Sequence, residues 1–239
     1  MRATRLLRAA VEKRAEHVLD IATGPGFHAV SFLANDSKVM GVDFGPAKIR
    51  HQNYRHFKGS WRELLEKDQG AFFDLIWCCH TLEHVRDPGS FLQALRTWTK
   101  EDGWLFISVP TNRQERLHIG HLTVWTPAHL CYHLVVNGWD CAGARWFTEY
   151  NTIGLMVQKI KDVDLSGRRA MPEEATWLQR YMPMKLIHWG TAWWPNNWHE
   201  ETADKYDDPP QLTGGFRFSD LPPKVQMVTG PNPALRDIL

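Results

Sequence analysis

HVLDIATGPGFHAVSFLANDSKVMGVDF, residues 17–44, decides the fold of this chain. It reads as a strand, a glycine-bearing turn, a helix and a second strand ending in an acid. His17 to Ile21 is a short apolar run that carries Asp20 near its end, and the turn Ala22-Thr23-Gly24-Pro25-Gly26 follows. Phe27 to Ala34 has apolar residues at helical spacing, Asn35-Asp36 stops it, and Lys38 to Asp43 is a second apolar strand. Open α/β sheets bind ligands in the crevice beyond the carboxyl ends of their strands. Gly24 and Gly26 lack a Cβ, so their backbone N–H groups can come close to a ligand. Asp43 ends the second strand, where a carboxylate can accept both hydroxyls of a ribose.

Further along, Gly45-Pro46 is expected to open a helix running through Ile49 to about His56, with a short third strand near Arg55 to Trp61. Phe72 to Cys79 is the clearest central strand, and it leads into His80-Thr81-Leu82-Glu83-His84-Val85-Arg86-Asp87-Pro88. Asp87 is the expected N-cap and Pro88 the first turn of a helix whose apolar face is Phe91, Leu92, Leu95 and Trp98. Gly103 to Pro110 is the fifth strand. Thr126-Pro127 starts another helix by the same logic, with Leu130, Leu134 and Val135 inside and Gly138 at its end. Trp139 to Tyr150 and Asn151 to Ile160 read as two adjacent strands.

The turn at Ala22 to Gly26, preceded by Asp20, resembles the first motif of class I S-adenosylmethionine-dependent methyltransferases, roughly D-x-G-x-G-x-G, with Ala22 in place of the first glycine. The Leu82-Glu83-His84-Val85 stretch, followed by Asp87-Pro88, resembles small-molecule methyltransferases of the ubiquinone and menaquinone branch. The resemblance covers roughly residues 15–160. It implies an α/β, Rossmann-like, doubly wound sheet of seven mostly parallel strands with an antiparallel last strand. A nicotinamide-binding domain lacks that closing pair, so an oxidoreductase is the weaker reading. The implied cofactor is S-adenosyl-L-methionine. Asp20, Ala22, Thr23, Gly24 and Gly26 are expected at its methionine end and Asp43 at its ribose. Phe44, Ser60 and Trp61 are expected at the adenine, and Cys79 and His80 beside the methyl group.

For hydroxyl acceptors a methyltransferase must also remove a proton. The candidates are Glu83, His84 and His121, with His80 and His118 nearby; Trp125 is a candidate wall of the acceptor pocket. His84 and Glu83 also have a structural reading, as residues that hold the loop. Some quinone-branch relatives hold a divalent cation in this loop, and the matching positions are His80, Glu83 and His84. The expectation is nonetheless that no metal is needed.

Composition bounds the rest. The 239 residues suit one domain, 1–160, plus an extension, 161–239. The net charge of +1 leaves no electrostatic footprint for nucleic acid, and the expected acceptor is a small molecule carrying a hydroxyl or amine. The N-terminal stretch with Arg2, Arg5, Arg8, Lys13 and Arg14 reads as a solvated helix rather than a signal peptide. Residues 122–139 lack Asp, Glu, Lys and Arg, but Pro127, His129, His133 and Asn137 argue against a membrane span. Cys78, Cys79, Cys131 and Cys141 have no disulfide or metal spacing, so a reducing, cytoplasmic setting is expected. Nine of the 14 prolines lie between Pro172 and Pro233, and five tryptophans lie between Trp177 and Trp198. That extension is expected to cover the acceptor side or to form a homodimer contact, because so many aromatics do not stay in solvent. The rival to an enzyme is a silent adenosylmethionine-fold module that binds a partner through this tail.

Overall fold

The computed structural model describes residues 3–67, 70–111, 118–149, 151–161, 163–165, 175–184 and 226–227. In chain order the elements are α1 (Thr4–Val11), β1 (His17–Ile21), α2 (Phe27–Leu33), β2 (Lys38–Asp43), β3 (Ile49–Arg50) and β4 (Tyr54–Lys58). They continue with α3 (Trp61–Lys67), β5 (Phe73–Cys79), a single 3-10 turn (Leu82–His84), α4 (Pro88–Trp98), β6 (Thr99–Pro110) and α5 (Pro127–Val136). Then come β7 (Trp139–Glu149), β8 (Thr152–Lys159), α6 (Ala175–Gln179) and β9 (Gln226–Met227).

Seven strands form one sheet in the order β4-β2-β1-β5-β6-β8-β7. Pairing is parallel from β4 through β6, and β8 runs antiparallel to both β6 and β7. This is the expected architecture. The chain winds outward from β1 to one edge, then returns to β5 and winds to the other. The switch point therefore lies between the carboxyl ends of β1 and β5, which puts Asp20 and His80 on either side of one crevice.

Burial on both faces follows from strand periodicity. Val18, Leu75, Trp77 and Phe106 point into one core with Leu6, Leu7, Ala29 and Phe32 from α1 and α2. Their neighbours Leu19, Ile76, Cys78 and Ile107 point into the other, against Phe91, Leu92, Leu95 and Trp98 of α4 and Leu130 and Leu134 of α5. The caps are those expected: Asp87 Oδ1 accepts from Ser90 N at 3.0 Å, and Thr126 Oγ1 from His129 N at 3.3 Å. Gly138 ends α5 with φ of 87°.

Three expectations are corrected. Residues 45–56 do not form a helix. Ile49–Arg50 is a short strand paired antiparallel with Gln226–Met227, and the third sheet strand starts at Tyr54. The reason is a shortage of apolar anchors: Ile49 is the one large apolar residue between Phe44 and Tyr54. It is buried, and a Cβ on Gly26 would collide with it. The N-terminal helix is not merely solvated, because Leu6, Leu7, Ala9 and Ala10 are buried. Its first N–H groups donate to Glu149 Oε2, from Thr4 at 2.6 Å and from Arg5 at 3.4 Å. The fifth strand starts at Thr99, not Gly103.

Part of the extension belongs to the same core. Leu178, Met182 and Met184 are buried in the cluster that holds α4 and α5, and Cys141 N donates to the Tyr181 carbonyl at 3.0 Å. Trp177 packs against Tyr181. The other four tryptophans of the aromatic stretch lie outside the described residues, as does the expected cover or dimer contact. Among the described residues no helix is long and apolar enough to cross a membrane.

Candidate functional site

The turn after β1 is held from beneath and from the side. Asp20 is buried, and its Oδ2 accepts the Thr23 hydroxyl at 2.7 Å. Burial pushes its carboxyl up to about 7; the Thr23 bond opposes this, the Asp43 charge adds to it, and the Ala29 N–H opposes it again. Thr23 N donates to the Val42 carbonyl at 3.0 Å, which ties the turn to β2. Asp43 accepts from Gly24 N at 2.8 Å through Oδ2 and from Gly45 N at 2.9 Å through Oδ1. One carboxylate thus clamps the turns that follow β1 and β2.

The turn is left-handed at three positions: Ala22 with φ 57°, Gly24 with φ 53° and Gly26 with φ 85°. Ala22 occupies this conformation with a Cβ, a local strain at the mouth of the crevice. Phe44 stands beyond Asp43 with 74% of its surface exposed, and Phe27 is also exposed beyond Gly26. Ser60 and Glu63 form a capping box on α3, with Ser60 N to Glu63 Oε2 at 2.7 Å and Glu63 N to Ser60 Oγ at 3.2 Å. Trp61 sets its ring edge-on to Phe91 at 5.4 Å, and the Arg62 guanidinium lies over it at 4.2 Å.

Across the crevice, Cys79 Sγ accepts from the Ser108 hydroxyl at 3.2 Å. His80 follows with φ of 51°, unusual for a residue with a side chain. Both its ring nitrogens are engaged: Nδ1 lies 3.2 Å from Glu83 Oε1, and Nε2 lies 3.2 Å from Thr152 Oγ1 on β8. Glu83 is fully buried. Its carbonyl accepts from Leu122 N at 2.7 Å, fastening the loop after β6 onto the 3-10 turn. His84 Nδ1 meets the Gly120 carbonyl at 2.8 Å, and its Nε2 faces Glu83 Oε1 at 3.9 Å. The His121 ring packs edge-on to His84 at 4.9 Å and stacks on His118 at 5.1 Å. Burial lowers the pKa of His121; the Glu83 charge opposes this, and His84 and His118 add to it. Ile119, Leu122 and Val124 leave this loop exposed and apolar. Trp125 is buried against the core and edge-on to His133 at 5.0 Å.

The structure therefore gathers the named residues in two groups. Asp20, Ala22, Thr23, Gly24, Gly26 and Asp43 form one, on the β1–β2 side. Cys79, His80, Glu83, His84 and His121 form the other, on the β5–β6 side. Ser60 and Trp61 lie at the start of α3, beyond the end of β4. Tyr54, His56 and Thr152 were missed from sequence. Tyr54 Oη meets His56 Nδ1 at 3.2 Å along one face of β4, and it also hydrogen-bonds the Thr23 side chain, a tertiary contact that no local signal marks.

A family model described as a methyltransferase domain matches residues 1–137, more than half of the chain. The chain belongs to this methyltransferase domain family. Over 110 residues it is 29% identical to a ubiquinone biosynthesis O-methyltransferase from Nitrosospira multiformis, covering 43% of this chain and 46% of that one. Over 100 residues it is 28% identical to the enzyme of the same description from Leptothrix cholodnii, covering 38% and 43%. The chain thus matches less than half the length of these curated relatives. Among solved structures it resembles the 1,6-didemethyltoxoflavin-N1-methyltransferase of Burkholderia thailandensis, crystallised with 1,6-didemethyltoxoflavin and S-adenosylhomocysteine bound. The TM-score is 0.54 at 19% identity, over 66% of this chain and 80% of that one. A SAM-dependent methyltransferase from Archaeoglobus fulgidus aligns with a TM-score of 0.52 at 14% identity, over 65% and 94%. At these identities the likeness establishes the methyltransferase fold.

Proposed function

We propose that this methyltransferase-domain chain binds S-adenosylmethionine in the β1–β5 crevice and transfers its methyl group to a small-molecule hydroxyl or amine. The observation that carries this reading is the Asp43 clamp. Its carboxylate sits at the tip of β2, fixed by Gly24 N and Gly45 N, and each oxygen keeps a second lone pair for a ribose hydroxyl. Asp20 lies at the floor of the same turn, where an ionised carboxylate complements the α-ammonium group of the methionine end. The turn N–H groups of the Ala22 to Gly26 stretch meet its carboxylate. Phe44 and Trp61 offer apolar ring surface to the adenine, with Ser60 beside them.

Cys79 and His80 then border the sulfonium, and Glu83, His84 and His121 line the acceptor side. Methyl transfer is an in-line displacement, so its main demand is placement of the acceptor atom, worth several kcal/mol. The exposed apolar side chains Ile119, Leu122 and Val124, with the exposed imidazoles of His84 and His118, fit an acceptor with an apolar body and one polar reacting group.

Calorimetry with S-adenosylhomocysteine tests the binding reading directly. Protein-dependent formation of S-adenosylhomocysteine from S-adenosylmethionine across a panel of phenols, catechols and amines tests the reaction. Binding without turnover on any acceptor or extract would leave only a ligand-binding module. Failure to bind S-adenosylhomocysteine at millimolar concentration would overturn the proposal.

A further inference from the structure

We propose that Tyr54 and His56 are positioning residues of the cofactor site: through the Thr23 hydroxyl they hold a proton on Asp20 until the ammonium group of the cofactor displaces it. This deepens the methyltransferase reading and rests on it for the ligand; the row of hydrogen bonds itself is independent of methyl transfer.

The register of the sheet builds the row. Asp20 on β1 pairs with Gly41 on β2, and Gly41 pairs with His56 on β4. The three share one face, and Tyr54 lies two residues before His56 on that same face. Gly41 leaves the middle open. A Cβ there would collide with Tyr54 Oη and would stand 2.9 Å from Thr23 Cγ2. The Tyr54 hydroxyl fills this gap. It bonds the Thr23 side chain on one side and meets His56 Nδ1 at 3.2 Å on the other. Asp20, Thr23 and Tyr54 are buried, so these polar groups must satisfy one another.

Hydrogen supply limits the row. The Gly45 carbonyl can only accept, so His56 Nε2, 2.8 Å from it, carries a hydrogen. In the neutral ring Nδ1 is then an acceptor, and Tyr54 gives it its only hydrogen. Tyr54 does not lose that hydrogen near neutral pH: burial pushes its pKa up to about 12, the Thr23 bond opposes this, and the Asp20 and Asp43 charges add to it. Tyr54 Oη can therefore only accept from Thr23. When Asp20 is ionised its oxygens can only accept, and the Thr23 hydrogen points to Oδ2. The Thr23–Tyr54 contact is then two buried oxygens with no hydrogen between them, which is unfavourable. When Asp20 is protonated, its carboxyl donates to Thr23, Thr23 donates to Tyr54, and Tyr54 donates to His56. Every contact then holds one hydrogen.

Hydrogen bonding thus adds to burial and to the Asp43 charge in keeping Asp20 neutral. The other titratable groups on this side are Cys78 on β5 and His28 on α2, whose ring lies edge-on at 5.2 Å to Trp77, the β5 partner of Asp20. A ligand with a positive charge at the turn repays the broken row by pairing with the carboxylate, and the proton leaves for solvent. A neutral ligand cannot. The row therefore makes the methionine end selective for a ligand that carries an ammonium group.

The test measures S-adenosylhomocysteine affinity across neutral pH on the full chain, as wild type, Tyr54→Phe, His56→Leu and the double variant. Tyr54→Phe keeps the ring and removes only the hydroxyl; His56→Leu frees Tyr54 to turn its hydrogen to Thr23. Each should move the midpoint of the affinity profile down by about half to one pH unit. Binding then tightens about three- to fivefold at pH 6 and stays unchanged at pH 8. In the Tyr54→Phe background His56→Leu should add no further shift. Methylthioadenosine, which lacks the ammonium group, should bind independently of pH. A merely structural role would weaken binding at every pH; that result, or an unmoved midpoint, overturns the proposal. Proton release absent at pH 6 in wild type but present in His56→Leu would show the proton passing to His56, which also overturns it. The Asp20 carboxyl, titrated by carbon NMR without ligand, should move down in Tyr54→Phe as well. That shift in a wild-type and variant pair that bind no S-adenosylhomocysteine would uphold the row and overturn the methyltransferase reading alone.

Discussion

The Asp20 carboxylate accepts the Thr23 hydroxyl at 2.7 Å inside the turn after β1, with almost no surface in contact with solvent. That pairing makes the floor of the crevice sensitive to pH. Burial raises the Asp20 pKa from 3.8 to about 7, so the folded chain holds this proton more tightly than the unfolded chain. Its contribution to stability is therefore fully present below about pH 4 and is lost as pH rises through about 7. Asp20→Asn should raise the melting temperature relative to wild type at pH 8 and do so much less at pH 4. Thermal melts at the two pH values check this; an equal shift at both would refute it.

Ligand binding should run the opposite way. A cationic α-ammonium group favours ionised Asp20, so S-adenosylhomocysteine should bind more tightly as pH rises from 6 to 8. Below about pH 7 the change approaches tenfold per pH unit, the limit for one linked proton. Calorimetry in buffers of different ionisation enthalpy would show proton release on binding at pH 6. Affinity independent of pH would remove Asp20 from the methionine end.

Asp43→Ala removes an acceptor shared by the Gly24 and Gly45 N–H groups together with the proposed ribose partner. Hydrogen bonds to a charged group contribute about 1.5–3 kcal/mol each. S-adenosylhomocysteine binding should weaken on the order of 100-fold, while Asp43→Asn, which keeps one acceptor oxygen, should lose less. Equal affinity of Asp43→Ala and wild type would take the ribose away from β2.

Ala22 is strained where a glycine would not be. An L-residue in the left-handed region costs about 1–2 kcal/mol, partly offset by glycine's greater freedom in the unfolded chain. Ala22→Gly should stabilise by up to about 1 kcal/mol, read from denaturant midpoints at unchanged slope. Gly26→Ala should do the reverse and more, since φ of 85° and the Ile49 side chain both oppose a Cβ.

The sheet was readable because its signals are local. Val18 and Leu19, or Ile76 and Trp77, alternate between two cores, and Asp87 and Thr126 announce their helices by side chains that cap them. The crossover at residues 45–53 was not readable, because Ile49 is placed by a glycine far away in sequence, at Gly26. The cluster of Glu83, His84 and His121 had its members named but not its grouping. It depends on the Glu83–Leu122 and His84–Gly120 bonds, which join two loops by tertiary contact alone. Within the extension, Leu178, Met182 and Met184 join the cluster that holds α4 and α5, a packing that no local pattern announces.

That last placement gives a sharp expectation for truncation. Leu178, Met182 and Met184 are each at most 6% exposed, and full burial of such a side chain contributes about 1.5–3 kcal/mol. The Tyr181 carbonyl also satisfies Cys141 N at the start of β7, next to the Trp139 and Cys131 layer of the core. Ending the chain after Ile160 removes all of this and uncovers apolar surface of that cluster beside β7. Ending it after Met184 keeps these contacts and removes only the β9 partner of β3 among the described residues. The shorter chain should therefore melt well below the longer one, by more than about 10 °C for a loss of several kcal/mol in a domain of this size. Equal melting temperatures for the two truncations would show that residues 175–184 are not part of the methyltransferase core.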